Sequence, residues 1–373
     1  KFIATGTGVG AIRLANGGKL ILNDLTVVDK SEYHAQNGET AWEFTYLEFA
    51  GETEFNNCVI DNTVALDGAK AVFNNCTFND KETWPANVGQ EYAAWVSNGT
   101  AHFNGCSFSG ARGIKVHEAY GTEVEEVVVD NCQFNNLSKK PGMAIGTVNT
   151  ATKIEIKNST FTNCQPGDQG LYMYETDTDV TTFDFSQTNN TVNAVVASSE
   201  VLAKVMKANF HTLNISLNAD VTVDVNANMA DFYFGGNNTN VITIDGAKVV
   251  TAAATGAGNN AYTLTFNHKN SDWNYVRLAN ADAKLVIKNA KITNTGNNNG
   301  PWNRHDISFY NDVELVNVTS DKAIALFGDS DLTNVIISDV HPEDGEAYAL
   351  WIRPFGQTVN LKNCALLAHE SKT

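Results

Sequence analysis

The stretch Arg112-Gly113-Ile114-Lys115-Val116-His117-Glu118 gathers a guanidinium, an ammonium, an imidazole and a carboxylate within a few residues. If it is extended, Lys115 and His117 share one face and Ile114 and Val116 the other. A Lys or Arg base with an acid beside it is the set that proton abstraction from a sugar acid requires. Arg112, Lys115, His117 and Glu118 are therefore the candidate catalytic residues if the chain is an enzyme. A solvated strand face of mixed charge accounts for the same residues without chemistry.

A second set is Glu175, Asp177 and Asp179, three carboxylates at alternate positions. Extended, they would present oxygens on one side, as Ca²⁺ prefers. Mutual repulsion relieved by solvent is the plainer reading. No His-x-x-x-His occurs, and the six Cys follow no zinc spacing. No cofactor is called for beyond that candidate Ca²⁺. A third set is aromatic and basic: Trp42, Trp95, Trp302, Trp351, Arg13 and Arg277. Exposed, the indoles would stack on a sugar ring or a partner surface; the arginines, pointing outward, would bind an acidic partner or, the reading favoured by their place between inward aliphatics, pair with Asp and Glu on the next coil. Turned inward, the indoles would fill a wide core.

These residues sit between copies of one phrase. It is Phe55-Asn56-Asn57-Cys58-Val59-Ile60, then Phe73-Asn74-Asn75-Cys76-Thr77-Phe78, then Phe103-Asn104-Gly105-Cys106-Ser107-Phe108. It returns at Val129 to Phe134, Ile156 to Phe161 and Leu361 to Leu366. Apolar alternation on both sides of an Asn or Gly implies strand, sharp bend, strand, because Asn and Gly tolerate the left-handed conformation. From Asp24 the bend slots fall at 57, 75, 105, 131 and 158. A phrase recurring this way indicates stacked coils, and its Cys are read as a reduced stack of small buried side chains.

The chain of 373 residues also contains a long duplication. Tyr275-Val276-Arg277-Leu278-Ala279-Asn280 repeats Ala11-Ile12-Arg13-Leu14-Ala15-Asn16. Bend slots then follow at 289, 317, 334 and 363, while Ala349-Leu350-Trp351-Ile352 repeats Ala93-Ala94-Trp95-Val96. Between the copies, Ser198 to Lys207 has an N-cap serine, an early acid and helical apolar spacing, which predicts a short capping helix near 199–208. The expected division is 1–197, the later part of one repeat unit, and 198–373, a second unit that begins with the helix. Both ends fall inside a repeat, so a longer tandem array is expected, with this piece monomeric.

Charge narrows the partners. Twenty-five basic against 42 acidic side chains give a net charge of −17, which disfavours nucleic acid. No apolar run is long enough to span a membrane as a helix.

The Phe-x-Asn-Cys-x-Phe coils resemble right-handed parallel β-helices of the pectin-lyase-like class, in the form of bacterial adhesin-like surface repeats. That resemblance implies an all-β solenoid in two stacks. It also implies a secreted or wall-attached, extracellular protein that contacts glycans or host surface proteins without catalysis. The same class includes lyases and hydrolases of acidic polysaccharides, the alternative. The hydrolase motifs Asn-Thr-Asp, Asp-Asp, Gly-His-Gly and Arg-Ile-Lys do not occur.

Overall fold

The computed structural model describes residues 2–4, 10–14, 18–29, 47–61, 63–80, 92–118, 121–166, 172–206, 208–225, 233–248, 260–268, 275–296, 306–339, 348–353 and 356–368. Nearly all regular structure is parallel β-sheet, with one α-helix among the described residues. The chain divides into two compact units, Lys1–Val192 and Asn193–Thr373.

In the first unit each phrase forms two strands around its bend. The strands before the bend pair in parallel, so that Leu22, Phe55, Phe73, Phe103, Val129 and Ile156 form one register row. The strands after it align Val27, Ile60, Phe78, Phe108, Phe134 and Phe161. Register is set by burial, because a one-residue slip would turn every Phe outward. The rings meet face to face: Phe73 and Phe103 are 5.1 Å apart, and Phe108 and Phe134 are 4.6 Å apart. A third row, Phe49, Leu66, Val96, Val116 and Ile145, runs through the strand Ile114–Val116, which carries Lys115.

The bends have the conformation the phrase requires. Asp24, Asn57, Asn75, Asn131 and Asn158 have φ between 51 and 54°, and Gly105 has φ 62°. Their side chains link coil to coil: Asn57 donates to Asp24 at 3.2 Å and Asn158 to Asp130 at 2.9 Å. A parallel ladder one residue earlier runs Asn104 to Asn74 to Asn56 to Asn23. A second left-handed bend, at Asn136 and Asn163, follows the Phe134 and Phe161 strands. The phrase does not announce it, because only two coils contain it.

All six cysteines are free thiols. Each phrase thiol points back at a carbonyl of the preceding coil, as Cys132 does toward Phe103 O at 3.3 Å. Where Ser159 stands in the Cys slot, its hydroxyl donates to Lys157 O and accepts the Cys132 N–H.

The second unit repeats this logic with aliphatic residues. Ile215, Ile244, Ile287, Leu315, Leu332 and Leu361 share one row. Gly246 occupies a bend slot without a left-handed φ, and the ladder acceptor there is Asp245, 3.1 Å from Asn289. The predicted helix is Ser199–Met206, with Ser198 accepting from the Val201 N–H. It buries Leu202, Val205 and Met206 and packs on the strand Val221–Val225.

Candidate functional site: cation–aromatic rows on short parallel strands

In the first unit the strands Ala94–Asn104, Ile114–Val116, Met143–Ile145 and Tyr174–Thr176 lie side by side. Their register aligns Trp95, Lys115, Ala144 and Glu175 across four strands. Ile114 and Val116 point to the core, completely buried. Lys115 is on the opposite face, as the alternation predicts, yet it is only 8 % exposed. Two rings cover it: its Nζ lies 5.7 Å from the Tyr92 centroid and 5.5 Å from that of Trp95. Ring faces attract a cation while excluding water. Burial pulls the Lys115 pKa down to about 8, against the attraction of Asp177.

Arg112 is also buried, 5.7 Å from the Tyr92 ring, and its backbone N–H donates to Asp80 Oδ2 at 2.9 Å. Burial raises Asp80 to about 6, opposed by Arg112. Next to Lys115, the Trp95 indole N–H donates to His117 O at 3.2 Å. His117 Nδ1 accepts the Thr147 N–H at 3.0 Å, which leaves the ring proton of a neutral imidazole on Nε2. Burial and the Lys115 charge hold His117 below its ordinary pKa. A Cβ at Gly146 would stand 2.2 Å from His117 Nδ1, so a glycine is what lets the ring sit there.

Glu118 acts on His117 as a charge, while its hydrogen bonds go elsewhere. One of its oxygens, Oε1, accepts from Val124 N, Asn149 N and Thr152 Oγ1, and so ties two loops together.

The three carboxylates of the candidate Ca²⁺ set do not converge. The strand ends at Thr176, so Asp179 is not on it. Glu175 pairs with Lys140 at 2.7 Å, and Asp179 caps a short 3₁₀ turn by accepting from Thr181. Asp177 alone faces Lys115 and His117 as a charge. Among the described residues no three His, Cys, Asp or Glu side chains form a metal-ligand group.

The second unit has its own row. Val276 bridges Phe309, and Ile307–Phe309, Ile324–Leu326 and Leu350–Ile352 follow in parallel. One residue beyond Phe309, Leu326 and Ile352, Tyr310 N, Phe327 N and Arg353 N bond to Val276 O, Phe309 O and Leu326 O, all at 3.0 Å. Arg277, Tyr310, Phe327 and Arg353 therefore stand in line, the last three one residue past the ends of their strands. The Arg277 guanidinium is 3.8 Å from the Tyr310 centroid and 5.1 Å from that of Tyr275. The Arg353 guanidinium is 4.4 Å from Trp351 and 5.1 Å from Phe327. The structure thus connects Arg277 and Trp351 through rings that the sequence reading did not single out.

Trp42 and Trp302 lie outside the described residues, and of Arg13 only the backbone strand is described. Tyr92, Tyr310, Phe327 and Arg353 are additions from the structure. A signal for Tyr92 was available: it precedes Trp95 by the same step as Tyr348 precedes Trp351. A separate open groove of about 480 Å³ in the second unit is lined by Lys248, Asn289, Asn317, Thr319, Asn334 and Ile336.

Fold and site define a nearly all-β protein of parallel sheets whose short strands display cations against aromatic rings. Comparison with known protein families, with curated proteins and with solved structures finds no match to this chain.

Proposed function

We propose that the chain consists of right-handed parallel β-helix units from a secreted or wall-attached bacterial adhesin-like protein. In this reading it binds glycans through its cation–aromatic rows and catalyses no reaction. The carrying observation is the alignment of Trp95 with Lys115 on adjacent strands, with the Tyr92 ring also against the ammonium. A ring face beside a fixed charge suits the apolar face and acidic substituent of a sugar. The row-on-row register and the recurring bends support the solenoid reading. Glycan-array binding of the chain, compared with Trp95→Ala and Lys115→Gln, tests it. Acidic glycans are expected to bind the parent chain, and affinity is expected to fall as pH rises through about 8, where Lys115 loses its charge. Equal binding by all three proteins would remove this site from the reading.

The second reading is a lyase acting on acidic polysaccharide, and one observation favours it. A lysine brought down to about 8 by burial is partly neutral near pH 8 and so able to accept a proton. Lys115 would be the base, with His117 and Arg112 beside it. Unsaturated product, followed by ultraviolet absorbance over a panel of acidic polysaccharides with and without Ca²⁺, decides between the readings.

A further inference from the structure

The groove in the second unit lies where the bend pattern is interrupted. At the Gly246 slot the chain leaves the coil through Ala247 and Lys248 and returns through Asn260 and Ala261. An antiparallel bridge between Ala247 and Ala261 holds the base of this excursion, and Lys248 N–H donates to Asn260 O at 2.9 Å. A Cβ at Gly246 would stand 2.8 Å from Ala290 Cβ, so glycine keeps the excursion close to the next coil. Beside it runs the amide ladder: Asn334 donates to Asn317, Asn317 to Asn289, and Asn289 to the Asp245 carboxylate. A side-chain amide has two N–H donors and two lone pairs. The ladder takes one of each, Asn334 accepting from Asn363, so among the described residues one N–H and one lone pair remain on each of three coils. Asn317 and Asn334 are exposed, and Asn289 is half-buried. Thr319 and Ile336, register partners on adjacent strands, complete the lining with Lys248, whose ammonium is 4.9 Å from the Tyr262 ring centroid.

We propose that this groove binds a linear, neutral glycan lying along the amide ladder. A sugar hydroxyl both donates and accepts, so it meets the remaining N–H and lone pair of each amide and replaces water bond for bond. The step fits as well. Coils repeat about every 4.8 Å, comparable with one sugar of an extended chain. An extended peptide laid along the ladder repeats the same backbone groups about every 6.8 Å and falls out of step. Lys248 is the one charged side chain in the lining, the others being amides, a hydroxyl and apolar groups, and that set selects a neutral ligand over a polyanion. Ile336, 39 % exposed, offers an apolar surface to the C–H face of a sugar. The volume of about 480 Å³ falls within the range of small-molecule sites, about 300–1,000 Å³. The groove lies in the other unit from the Trp95–Lys115 row, and it rests on the glycan-binding reading only in the choice of a glycan as the hydroxyl-bearing ligand.

The test uses the full chain with neutral tetrasaccharides of β-1,4-linked glucose and mannose, a tetrauronate, and an uncharged peptide of similar length. Calorimetry gives affinity, and hydroxyl-radical footprinting locates the contact. A neutral tetrasaccharide is expected to bind and to protect Ile336. Asn317→Gly keeps the left-handed bend but removes one amide, and it is expected to weaken binding about fivefold, as loss of a hydrogen bond implies. Asn57→Gly makes the same change in the ladder of the first unit and is expected to leave protection of Ile336 unchanged. Thr319→Trp fills the groove and is expected to abolish binding. Each variant is to match the parent in circular dichroism and to unfold cooperatively. The proposal is overturned if no neutral tetrasaccharide protects Ile336, if the tetrauronate or the peptide protects it equally, or if folded Asn317→Gly binds like the parent. Protection of Trp95 by the tetrauronate, with none of Ile336 by any probe, would keep the glycan-binding reading and overturn this site. Protection of Ile336 by a neutral tetrasaccharide, with none at Trp95, would keep this site and remove the other.

Discussion

Asn334 donates its side-chain amide to Asn317 Oδ1 at 2.9 Å, and Asn317 does the same to Asn289 at 2.9 Å. Each of these residues also has a left-handed backbone, with φ between 51 and 54°. One residue type therefore serves two needs at these three bends.

The two needs separate by mutation. Asn317→Gly keeps the conformation and loses the ladder, so it is expected to cost about 1 kcal/mol. Asn317→Ala loses both and is expected to cost about 2–3 kcal/mol. Urea unfolding of the two variants measures the difference; equal midpoints would show that the backbone conformation contributes nothing.

The phenylalanine stack carries more of the stability. Phe103 is fully buried and stacks on Phe73 while meeting Phe78 and Phe108 edge-on. Phe103→Ala is expected to destabilise by about 3–5 kcal/mol, the usual cost of a buried aromatic cavity. Phe103→Leu is expected to cost less because it leaves a smaller void. Denaturant midpoints at constant slope are the measurement.

The thiols are expected to react in an order set by burial. Burial pushes Cys58 up and Cys164 up to about 12, so neither forms a thiolate near pH 8. Cys364 is the one thiol that is partly exposed. Iodoacetamide at pH 8 should label Cys364 first in the native protein and all six only after unfolding. Rapid native labelling of Cys58 or Cys164 would contradict the packing described.

Stability should respond to acid through two groups of opposite sign. His268 is buried in the second unit and donates Nδ1–H to Asn294 Oδ1 in its neutral form, at 2.7 Å. Burial holds its pKa below the ordinary value, so the unfolded chain takes up a proton first, near about 6.5, and stability falls as pH drops below that. Asp80, in the first unit, keeps its proton up to about 6 when folded, whereas an unfolded Asp loses it near about 3.9. Its contribution is complete below that lower value and is lost as pH rises through about 6. His268→Asn should flatten the first dependence and Asp80→Asn the second, each read from unfolding temperature against pH.

Much of the scaffold was legible because its signals are local. The apolar alternation around Asn57, Asn75 and Asn131 predicted strands and bends, and the Ser198 cap with Leu202 and Val205 predicted the helix. The site was harder to read. Lys115 and His117 were placed on a shared face by alternation alone, but the cover over Lys115 comes from Tyr92 and Trp95, about twenty residues earlier in the chain. Glu118 read as a partner of the same group, and it does act on His117 as a charge, but alternation could not show that its carboxylate also closes loops at Val124 and Asn149. Asp179 read as part of an extended strand, but the strand ends at Thr176 and Asp179 instead caps a short 3₁₀ turn by accepting from Thr181.

The sequence alone determined the period: which residues bend, which face inward, and that the Arg13 phrase returns at Arg277. Those are properties of neighbours in the chain, since conformational preference and alternation act over a few residues. Tertiary structure decided which side chains meet across strands. Loops of unequal length separate Arg277, Tyr310, Phe327 and Arg353 in sequence, and only parallel register puts them in one line. The cation–aromatic contacts depend on that register, because ring attraction reaches only a few ångströms.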